Sequence, residues 1–293
     1  MKKKLQLFFI IFLLFALSAC SQGQEEGQGT NKEKPVIAVS IVPQQTWVKA
    51  VVGDFAEVAV MIPPGNSPAN YAPSPKELQL FSEASVYFSI GVPTESVNIL
   101  SKSEDINKEM KIVRLENIVV NHYSERTFAS GKRDPHIWLS PKRAKVMVQE
   151  IADVLSELYP EERNRFQENA AAYIQKIGET DEQIKFIFSE TEKKKFIVYH
   201  PAFGYFAEDY GLEMIAIEKE GKQAVPQRLQ EIIDLAKEEV LRVIFYQAEI
   251  DSSQTRSIAE EIGGRTEQLM PLAPNYLENL IWMAEKIRAS WEE

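Results

Sequence analysis

Two of the chain's three histidines stand where an imidazole could bind a ligand. His136 lies in the segment RDPHIWLSPKRA, after an Asp-Pro pair and shortly before Ser140-Pro141, residues that can start a helix. Asp134 is held extended because the residue before a proline avoids the helical conformation. His136 is therefore predicted to lie in a loop between two structured elements.

His200 occupies a comparable place in the second half of the chain. It follows the apolar segment KFIVY, a predicted strand, and precedes Pro201. Ligand clefts of parallel sheets form at the carboxyl edge of the strands, which is where this residue would lie. Imidazole nitrogen binds first-row metals such as zinc, manganese, iron and copper. His136 and His200 are therefore the candidate metal ligands.

The elements that must position these residues alternate between strand and helix. Before the third predicted strand, Ser74, Pro75 and Glu77 have the pattern of an N-cap, a first helical residue and a capping box. Alternation of strands and helices predicts two lobes, each a parallel sheet of βα units. The predicted strands are short apolar segments rich in β-branched residues, at 36–42, 56–62, 85–91, 111–115, 195–199, 213–217 and 241–246.

A single long helix is predicted to join the two lobes, from Pro160 to Phe188. Apolar residues recur along it at three- and four-residue steps, and charged residues fill the other faces. Such a helix would run roughly 43 Å at about 1.5 Å per residue. The predicted fold class is thus α/β, with two parallel-sheet lobes joined by one long rigid helix. The predicted domain limits are 35–159 for the N-terminal lobe, 160–188 for the linking helix and 189–293 for the C-terminal lobe.

The N-terminal segment is predicted to export and anchor the chain rather than to fold with it. Basic residues, an apolar run and the small residues before Cys20 are typical of a bacterial lipoprotein signal. We predict a signal peptide at residues 1–19 and a flexible tether at residues 20–34, with Cys20 lipidated. Cys20 is the only cysteine, so an internal disulfide is excluded. We expect the mature protein at the extracytoplasmic face of the cell membrane, held there by its lipid anchor.

The negative charge of the chain argues against one class of partner, nucleic acids. The formal net charge is −10, and loss of the lysines of the signal peptide would make the mature chain more negative still. An acidic surface disfavours contact with nucleic acid, whose phosphates carry the same sign of charge. We therefore expect no nucleic-acid partner, and we expect the protein to be a monomer.

A series of short motifs runs along nearly the whole mature chain. The motifs are SIVP at 40–43, Gly53-Asp54, IPPGNSP at 62–68, the G-x-x-x-E pattern from Gly91 to Glu95, DPHIWLSP at 134–141, YHPAFGYFAEDYGL at 199–212, EGK at 220–222 and PLAPNYLENL at 271–280. In their order and spacing, and together with the lipoprotein signal and the two lobes, they resemble the zinc- and manganese-binding lipoproteins of bacterial ABC importers, the cluster A-I or TroA-like substrate-binding proteins.

The resemblance implies a metal site between the lobes, usually built from three histidines and one carboxylate. His136 matches the family's second histidine and His200 matches its third. Ala69 stands where the family has its first histidine, and Met270 stands where it has the carboxylate. Gln247 replaces a further acidic residue of the family. Two imidazoles alone leave a zinc or manganese ion under-coordinated, so we expect weaker binding than a complete site would give.

Several groups could complete such a site, and the sequence does not choose among them. Met270 with two histidines would favour Cu(I), although packing is the simpler role for a methionine. His122 lies in a polar segment typical of the surface. Tyr71 and Trp138 are expected to line the cleft. The candidates to complete the site are Asn70, His122, Glu249, Asp251, Met270 and water.

The predicted function is capture of a divalent transition metal, zinc or manganese, in the cleft between the lobes. An extracytoplasmic lipoprotein of this kind would deliver the metal to the permease and ATPase subunits of an ABC importer. The sequence lacks the motifs of common hydrolases and nucleotide-binding enzymes, so we do not predict an enzyme. Two alternatives stay open, a cleft adapted to another ligand and a surface adhesion or scaffold lipoprotein.

Overall fold

Each half of the chain builds one four-stranded parallel sheet. The structure, a computed structural model, describes residues 34–189, 191–219, 222–250 and 253–292. Helices connect the strands, because parallel neighbours need a crossover that returns the chain to the same edge of the sheet. The predicted α/β fold class with two parallel-sheet lobes is confirmed.

The N-terminal lobe holds its sheet between helices. The lobe also contains a π-helical segment at Glu95–Ile99 and 3-10 turns at Leu100–Lys102 and Ile137–Leu139. Its strands are β1 (Val36–Val39), β2 (Glu57–Val60), β3 (Ala84–Ser89) and β4 (Lys111–Arg114), in the spatial order β2-β1-β3-β4. Its helices are α1 (Val42–Val52), α2 (Pro75–Glu83), α3 (Ser103–Ile106), α4 (Leu115–Val120) and α5 (Pro141–Leu158).

One long helix, α6 (Arg163–Ser189), links the lobes after a single 3-10 turn at Pro160–Glu162. Tyr159 ends α5 in a non-helical conformation, as expected for a residue before proline. The helix packs on α5 of the N-terminal lobe and on the last helix of the C-terminal lobe, so both lobes share one support. The predicted linking helix is confirmed, while the exact limits of the lobes stay a prediction. The buried apolar residues of α6 are Phe166, Ala170, Ile177, Ile184 and Phe188.

The C-terminal lobe repeats the arrangement of the first. The sequence pattern missed its last strand, Arg265–Leu269 (β8). Only Leu269 of that strand is fully buried, and a mostly polar edge strand has no apolar signature. Its strands are β5 (Lys195–Val198), β6 (Glu213–Ala216), β7 (Val243–Gln247) and β8 (Arg265–Leu269), in the order β6-β5-β7-β8. Its helices are α7 (Gly204–Asp209), α8 (Pro226–Glu238), α9 (Ser253–Glu261) and α10 (Tyr276–Ala289).

A polar cluster also connects the two lobes. We call Arg143 of α5 with Glu208 and Asp209 of α7 the interlobe cluster. The guanidinium of Arg143 lies 3.0 Å from Glu208 and 3.1 Å from Asp209. It also lies 4.4 Å from the centre of the Tyr205 ring, within range of a cation–π contact. The side chains of Arg143 and Asp209 are 1% and 4% exposed, so their ion pair is shielded from water, whereas Glu208 is partly exposed.

The predicted N-terminal features cannot be compared with the structure. The signal peptide, Cys20 and the tether up to Glu33 lie outside the described residues, so lipidation of Cys20 stays a prediction. In the described part of the chain, no helix has both the length and the apolar character that crossing a bilayer requires.

Candidate metal centre

A cavity of about 200 Å³ lies where the carboxyl-end loops of the two sheets meet. The N-terminal lobe lines it with loops that follow β2, β3 and α4, and the C-terminal lobe with loops that follow β5, β7 and β8. Loops at this edge leave the strands in the same direction, so their side chains converge. Both predicted ligands, His136 and His200, line this cavity.

His136 is held by the residue two positions before it. Oδ1 of Asp134 accepts a hydrogen bond from the backbone N–H of His136 at 3.0 Å and lies 2.8 Å from Nδ1 of its ring. Both residues are buried. The 3-10 turn follows, and then Ser140 caps α5 by accepting a hydrogen bond from the backbone N–H of Arg143. His136 thus lies in a loop between structured elements, as the sequence predicted.

His200 is held by a carboxylate from the neighbouring strand. Its Nδ1 is hydrogen-bonded to Glu218, a buried residue that follows β6. Because β5 and β6 are adjacent and parallel, residues just beyond their carboxyl ends lie side by side. Our reading of the sequence missed Glu218. The sequence does show an acidic residue directly after an apolar strand. That residue could be assigned to His200 only with the knowledge that β6 is the neighbour of β5.

The two imidazoles face each other through their other nitrogens. Nε2 of His136 lies 3.2 Å from Nε2 of His200. Two nitrogens bound to one tetrahedral zinc at about 2.0–2.1 Å would be separated by about 3.3 Å. With both Nδ1 atoms directed at carboxylates, both Nε2 atoms present lone pairs toward one point. Two lone pairs that face each other repel, whereas a cation between them would be bound by both Nε2 atoms. The pair therefore fits a metal ion.

The electrostatics of the pair also favour a cation. Burial lowers the pKa of the His200 imidazole, although the hydrogen bond that its Nδ1 donates to Glu218 opposes the shift. The ring is therefore neutral at neutral pH, which is the form that binds a metal. Asp134 and Glu218 supply two buried negative charges behind the rings, and carboxylates in this place raise the basicity of histidine ligands.

Most of the other candidate ligands do not reach the cavity. Ala69 lines it but offers only a methyl group, whereas the neighbouring Asn70 is exposed and is not part of the lining. His122 is exposed, as expected. Met270 is 39% exposed and does not line the cavity, so it serves neither as a ligand nor as a core residue. Asp251 lies outside the described residues.

Two residues that line the cavity each have one buried polar atom without a hydrogen-bond partner. Nε2 of Gln247 and Oε2 of Glu249 are buried and have no hydrogen-bond partner in the described structure. Burial raises the pKa of Glu249. Of the aromatic residues expected in the lining, Trp138 is present and Tyr71 is not. Among the described residues, no three His, Cys, Asp or Glu side chains group closely enough to hold a metal.

Glu95 of the G-x-x-x-E motif fixes one wall of the cavity. Its carboxylate accepts hydrogen bonds from the backbone N–H groups of Ile90 and Gly91, both at 2.8 Å, and from the hydroxyl of Ser40. Gly91 has a φ of 87°, a conformation that glycine adopts without a steric penalty. The loop that begins there lines the cavity. The motif therefore shapes the wall and supplies no ligand.

Comparison with known proteins identifies the family of this chain. The model of the family "Zinc-uptake complex component A, periplasmic" matches residues 37–290. The chain belongs to this family. The predicted resemblance to the importer-associated zinc-binding proteins is therefore confirmed, and the match includes both lobes and the linking helix.

Individual members of the zinc-uptake component A family are similar over most of this chain. The zinc-binding lipoprotein AdcA of Streptococcus pneumoniae (strain ATCC BAA-255 / R6) is 30% identical over 284 residues, which are 92% of this chain but 55% of that protein. The high-affinity zinc uptake system protein ZnuA of Bacillus subtilis (strain 168) is 29% identical, over 92% of this chain and 89% of its own length. The chain thus spans about half the length of AdcA.

A solved structure of a family member has the same fold. A crystal structure of ZnuA is 35% identical in sequence and superposes with a TM-score of 0.82, over 88% of this chain and 99% of that one. The two-lobe arrangement with its linking helix is therefore that of the zinc-uptake component A family.

Proposed function

We propose that this protein captures zinc in the cleft between its lobes, as the extracytoplasmic substrate-binding component of a metal-ion ABC importer. The convergence of His136 and His200 carries the proposal. Their Nε2 atoms lie 3.2 Å apart, and a buried carboxylate orients each ring. AdcA of S. pneumoniae is a zinc-binding lipoprotein and ZnuA of B. subtilis belongs to a zinc uptake system, which supports zinc as the metal.

The donor atoms favour zinc over manganese. Both identified donors are imidazole nitrogens, which suit zinc, whereas manganese prefers carboxylate, carbonyl and water oxygens. For a given site, affinity for divalent metals also rises along the series from manganese towards copper, with zinc well above manganese. Manganese is therefore expected to bind more weakly than zinc.

The protein would act by binding and release, without chemical turnover. One imidazole comes from each lobe, so a bound ion stabilises the arrangement in which the two lobes meet, by its greater affinity for that arrangement. The rigid helix α6 limits the accompanying motion to a small tilt or a loop rearrangement. The loaded protein would then dock on a membrane permease driven by an ATPase subunit. Lipidation of Cys20 would keep it at the extracytoplasmic face of the membrane.

Titration of the metal-free protein with zinc in the presence of a competing chelator tests the proposal. His136→Ala and His200→Ala should each weaken zinc binding by at least about tenfold, since even loss of a group that only orients a ligand costs that much. Manganese titrated in the same way should bind more weakly than zinc. Circular dichroism of each variant would verify that it is folded.

The third histidine provides a matched control. His122 is exposed and lies away from the cavity, so His122→Ala should bind zinc as the wild type does. Zinc retention that is equal in the wild type, His136→Ala and His200→Ala would contradict the proposal, because binding would then not depend on the imidazole pair.

A further inference from the structure

The carboxylate of Asp134 has one oxygen that His136 does not use. Its Oδ1 is hydrogen-bonded to the backbone N–H and to Nδ1 of His136. Its Oδ2 lies instead against Arg126 and Gly204, neither of which lines the cavity. Because Asp134 is only 2% exposed, its protein neighbours and not water determine where this carboxylate lies.

Arg126 faces this oxygen from the loop that follows α4. Its Nε lies 3.7 Å from Oδ2 of Asp134, within range of an ion pair although too long for a hydrogen bond. The side chain is 34% exposed, but Nε itself is buried and has no hydrogen-bond partner in the described structure. The backbone ties the same two residues, since the N–H of Asp134 donates a hydrogen bond to the carbonyl oxygen of Arg126 at 2.9 Å. The guanidinium is therefore a cation held beside Asp134.

The C-terminal lobe holds Arg126 in this place. Nη1 of its guanidinium donates a hydrogen bond to Oε2 of Glu208 at 2.9 Å, and its backbone N–H donates one to the hydroxyl of Tyr205, also at 2.9 Å. The guanidinium carbon lies 5.8 Å from the centre of the Tyr205 ring. Both partners belong to α7, so a loop of the N-terminal lobe is fixed by one helix of the C-terminal lobe.

Gly204, the first residue of α7, leaves the space that the carboxylate occupies. A Cβ on Gly204 would lie 2.6 Å from Oδ2 of Asp134 and 2.9 Å from Nε of Arg126, well inside the separation of about 3.5–4.0 Å at which non-bonded atoms pack best. The backbone of Gly204 is helical, a conformation open to residues with a side chain. This position therefore requires glycine for its small size and not for its backbone.

We propose that Arg126 and Gly204 are positioning residues of the zinc site. Together they hold the Asp134 carboxylate where it orients His136. The inference rests on the proposed function and extends it to two residues outside the cavity lining. Since Oδ1 of Asp134 binds both the backbone N–H and the ring of His136, a shift of the carboxylate turns the imidazole with it. Nε2 of His136 then no longer lies opposite Nε2 of His200, and the ion loses one of its two donors.

The competing explanation is that both residues only support the contact between the lobes. In that case a change at either residue would weaken zinc binding whether or not the Asp134 carboxylate is present. If instead they act through the carboxylate, their effects must disappear once it is removed. A double-mutant cycle measures this difference, because changes that act through one shared partner are not additive.

Competition titration of the metal-free protein with zinc and a chelator provides the test. Asp134→Ala should weaken zinc binding by about 10–100-fold, the usual cost of losing a group that orients a metal ligand. In the wild-type background, Arg126→Met and Gly204→Ala should each weaken zinc binding by about tenfold. In the Asp134→Ala background, the same two changes should shift the zinc affinity by less than about twofold.

A conservative variant and two controls sharpen the test. Arg126→Lys keeps the positive charge without the planar guanidinium, so it should lose less zinc affinity than Arg126→Met. Arg228→Met and Gly178→Ala are the matched controls and should bind zinc as the wild type does. Arg228 is about half exposed on α8, and a Cβ on Gly178 of α6 would meet only the end of the Lys145 side chain, at 3.5 Å. Circular dichroism would verify that each variant is folded.

The outcomes separate this inference from the proposed function. If Arg126→Met and Gly204→Ala weaken zinc binding equally in the wild-type and Asp134→Ala backgrounds, they act through the lobes, so the inference is overturned and zinc capture stands. The same conclusion follows if neither change weakens binding in the wild-type background, or if Asp134→Ala binds zinc as the wild type does. If the wild type binds no zinc at all, the proposed function is overturned and the inference with it.

Discussion

An imidazole binds a metal through one ring nitrogen, and the partner of the other nitrogen decides which one is free. Here Asp134 and Glu218 are hydrogen-bonded to Nδ1 of His136 and His200. Each Nε2 is thereby turned into the cavity. The carboxylates are therefore as necessary to the proposed site as the histidines, although neither of them touches the point where an ion would lie.

Removal of an orienting carboxylate should weaken zinc binding. Glu218→Ala leaves Nδ1 of His200 without its partner, so we expect a loss of zinc affinity of about 10–100-fold. Glu218→Gln should lose less, because an amide oxygen can still accept a hydrogen bond from Nδ1. Competition titration with a chelator measures both. Glu213→Ala, an exposed change on β6, the strand that precedes Glu218, is the control. A Glu218→Ala protein that binds zinc like this control would contradict the orienting role of Glu218.

A third protein donor should strengthen zinc binding. Ala69 lines the cavity at the position where the family resemblance places a histidine. We expect Ala69→His to raise zinc affinity by at least about tenfold, or about 1.4 kcal/mol, because it fills one of the open positions on the ion. Ala72→His places the same side chain on an exposed residue outside the lining and should change nothing. Equal affinity of the two variants would show that position 69 does not reach the metal.

Sequence alone identified the histidine pair but not its surroundings. His136 and His200 could be found because a histidine beside a proline at a predicted element boundary is a local pattern. The contacts of Glu218 and Gln247 could not be predicted in this way, because they depend on which strands are neighbours in the sheet. Met270 was a candidate by its position in the motif order, and its exposure became visible only in the structure.

At the scale of elements, the buried carboxyl group that holds the β3 loop should make stability depend on pH. Burial raises the pKa of Glu95 from 4.5 to about 7, although hydrogen bonds from Ser40 and from the backbone oppose the shift. The folded protein therefore keeps a proton that the unfolded chain loses near pH 4.5. The stabilisation is fully present below that pH and is lost as the pH rises through about 7.

Urea denaturation across this range measures the effect. Between pH 4.5 and 7.5 the wild type should lose roughly 3 kcal/mol of unfolding free energy relative to Glu95→Gln, at about 1.36 kcal/mol per unit of pKa shift. Glu95→Gln will be less stable overall because an amide accepts fewer hydrogen bonds, but its pH dependence should be flatter. Glu57→Gln, an exposed change on β2, should keep the wild-type slope. Parallel slopes for the wild type and Glu95→Gln would contradict the assignment.

The linking helix should tolerate loss of packing better than loss of its backbone. Ile174→Pro removes one hydrogen bond of α6 and places the proline ring against the carbonyl of Ala170, at a cost of about 3 kcal/mol or more. Ile174→Ala removes the side chain but keeps the helix geometry. Since Ile174 is only partly buried, the alanine variant should lose clearly less stability. If Ile174→Pro and Ile174→Ala lose the same unfolding free energy in chemical denaturation, the effect of proline comes from lost packing and not from a broken helix.

The elements were largely predictable because their physics is local. Apolar β-branched segments that alternate with helical segments predicted seven of the eight strands in the described part of the chain, and the apolar stripe of α6 predicted the linking helix. Strand β8 escaped because it lies at the edge of its sheet, paired only with β7, and most of its side chains are polar. Backbone hydrogen bonds with β7 hold β8 in the sheet, and such bonds do not depend on the side chains of the strand.

At the scale of the whole molecule, several contacts hold the two lobes in a fixed relation. Helix α6 packs on both of them. The interlobe cluster joins α5 to α7 near the cleft, and Nε1 of Trp138 donates a hydrogen bond to the carbonyl oxygen of Pro271 at 2.9 Å, from one lobe to the other. A cleft tied in this way is largely formed before its ligand arrives. Little of the binding free energy is then needed to bring the two imidazoles together.

Removal of the cation of the interlobe cluster should therefore destabilise the whole protein. Arg143→Met preserves most of the side-chain volume but leaves the Asp209 side chain, which is only 4% exposed, with Lys142 as its remaining cation. Breaking a buried pair by removing one partner costs about 3–5 kcal/mol, whereas replacing both by apolar residues can be nearly neutral. We expect Arg143→Met to lose stability of that order in chemical denaturation, and Arg143→Met with Asp209→Leu to recover part of it.

The control separates a buried ion pair from an exposed one. Arg228 of α8 pairs with Glu231 at the surface, where both side chains are about half exposed, and such pairs contribute only about 0–1 kcal/mol. Arg228→Met should thus be close to the wild type. If Arg143→Met is equally mild, the cluster does not hold the lobes together, and α6 does so with the other contacts between the lobes. If instead Arg143→Met unfolds at lower denaturant and also loses zinc affinity, although Arg143 does not line the cavity, the fixed relation of the lobes is what keeps the two imidazoles in reach of one ion.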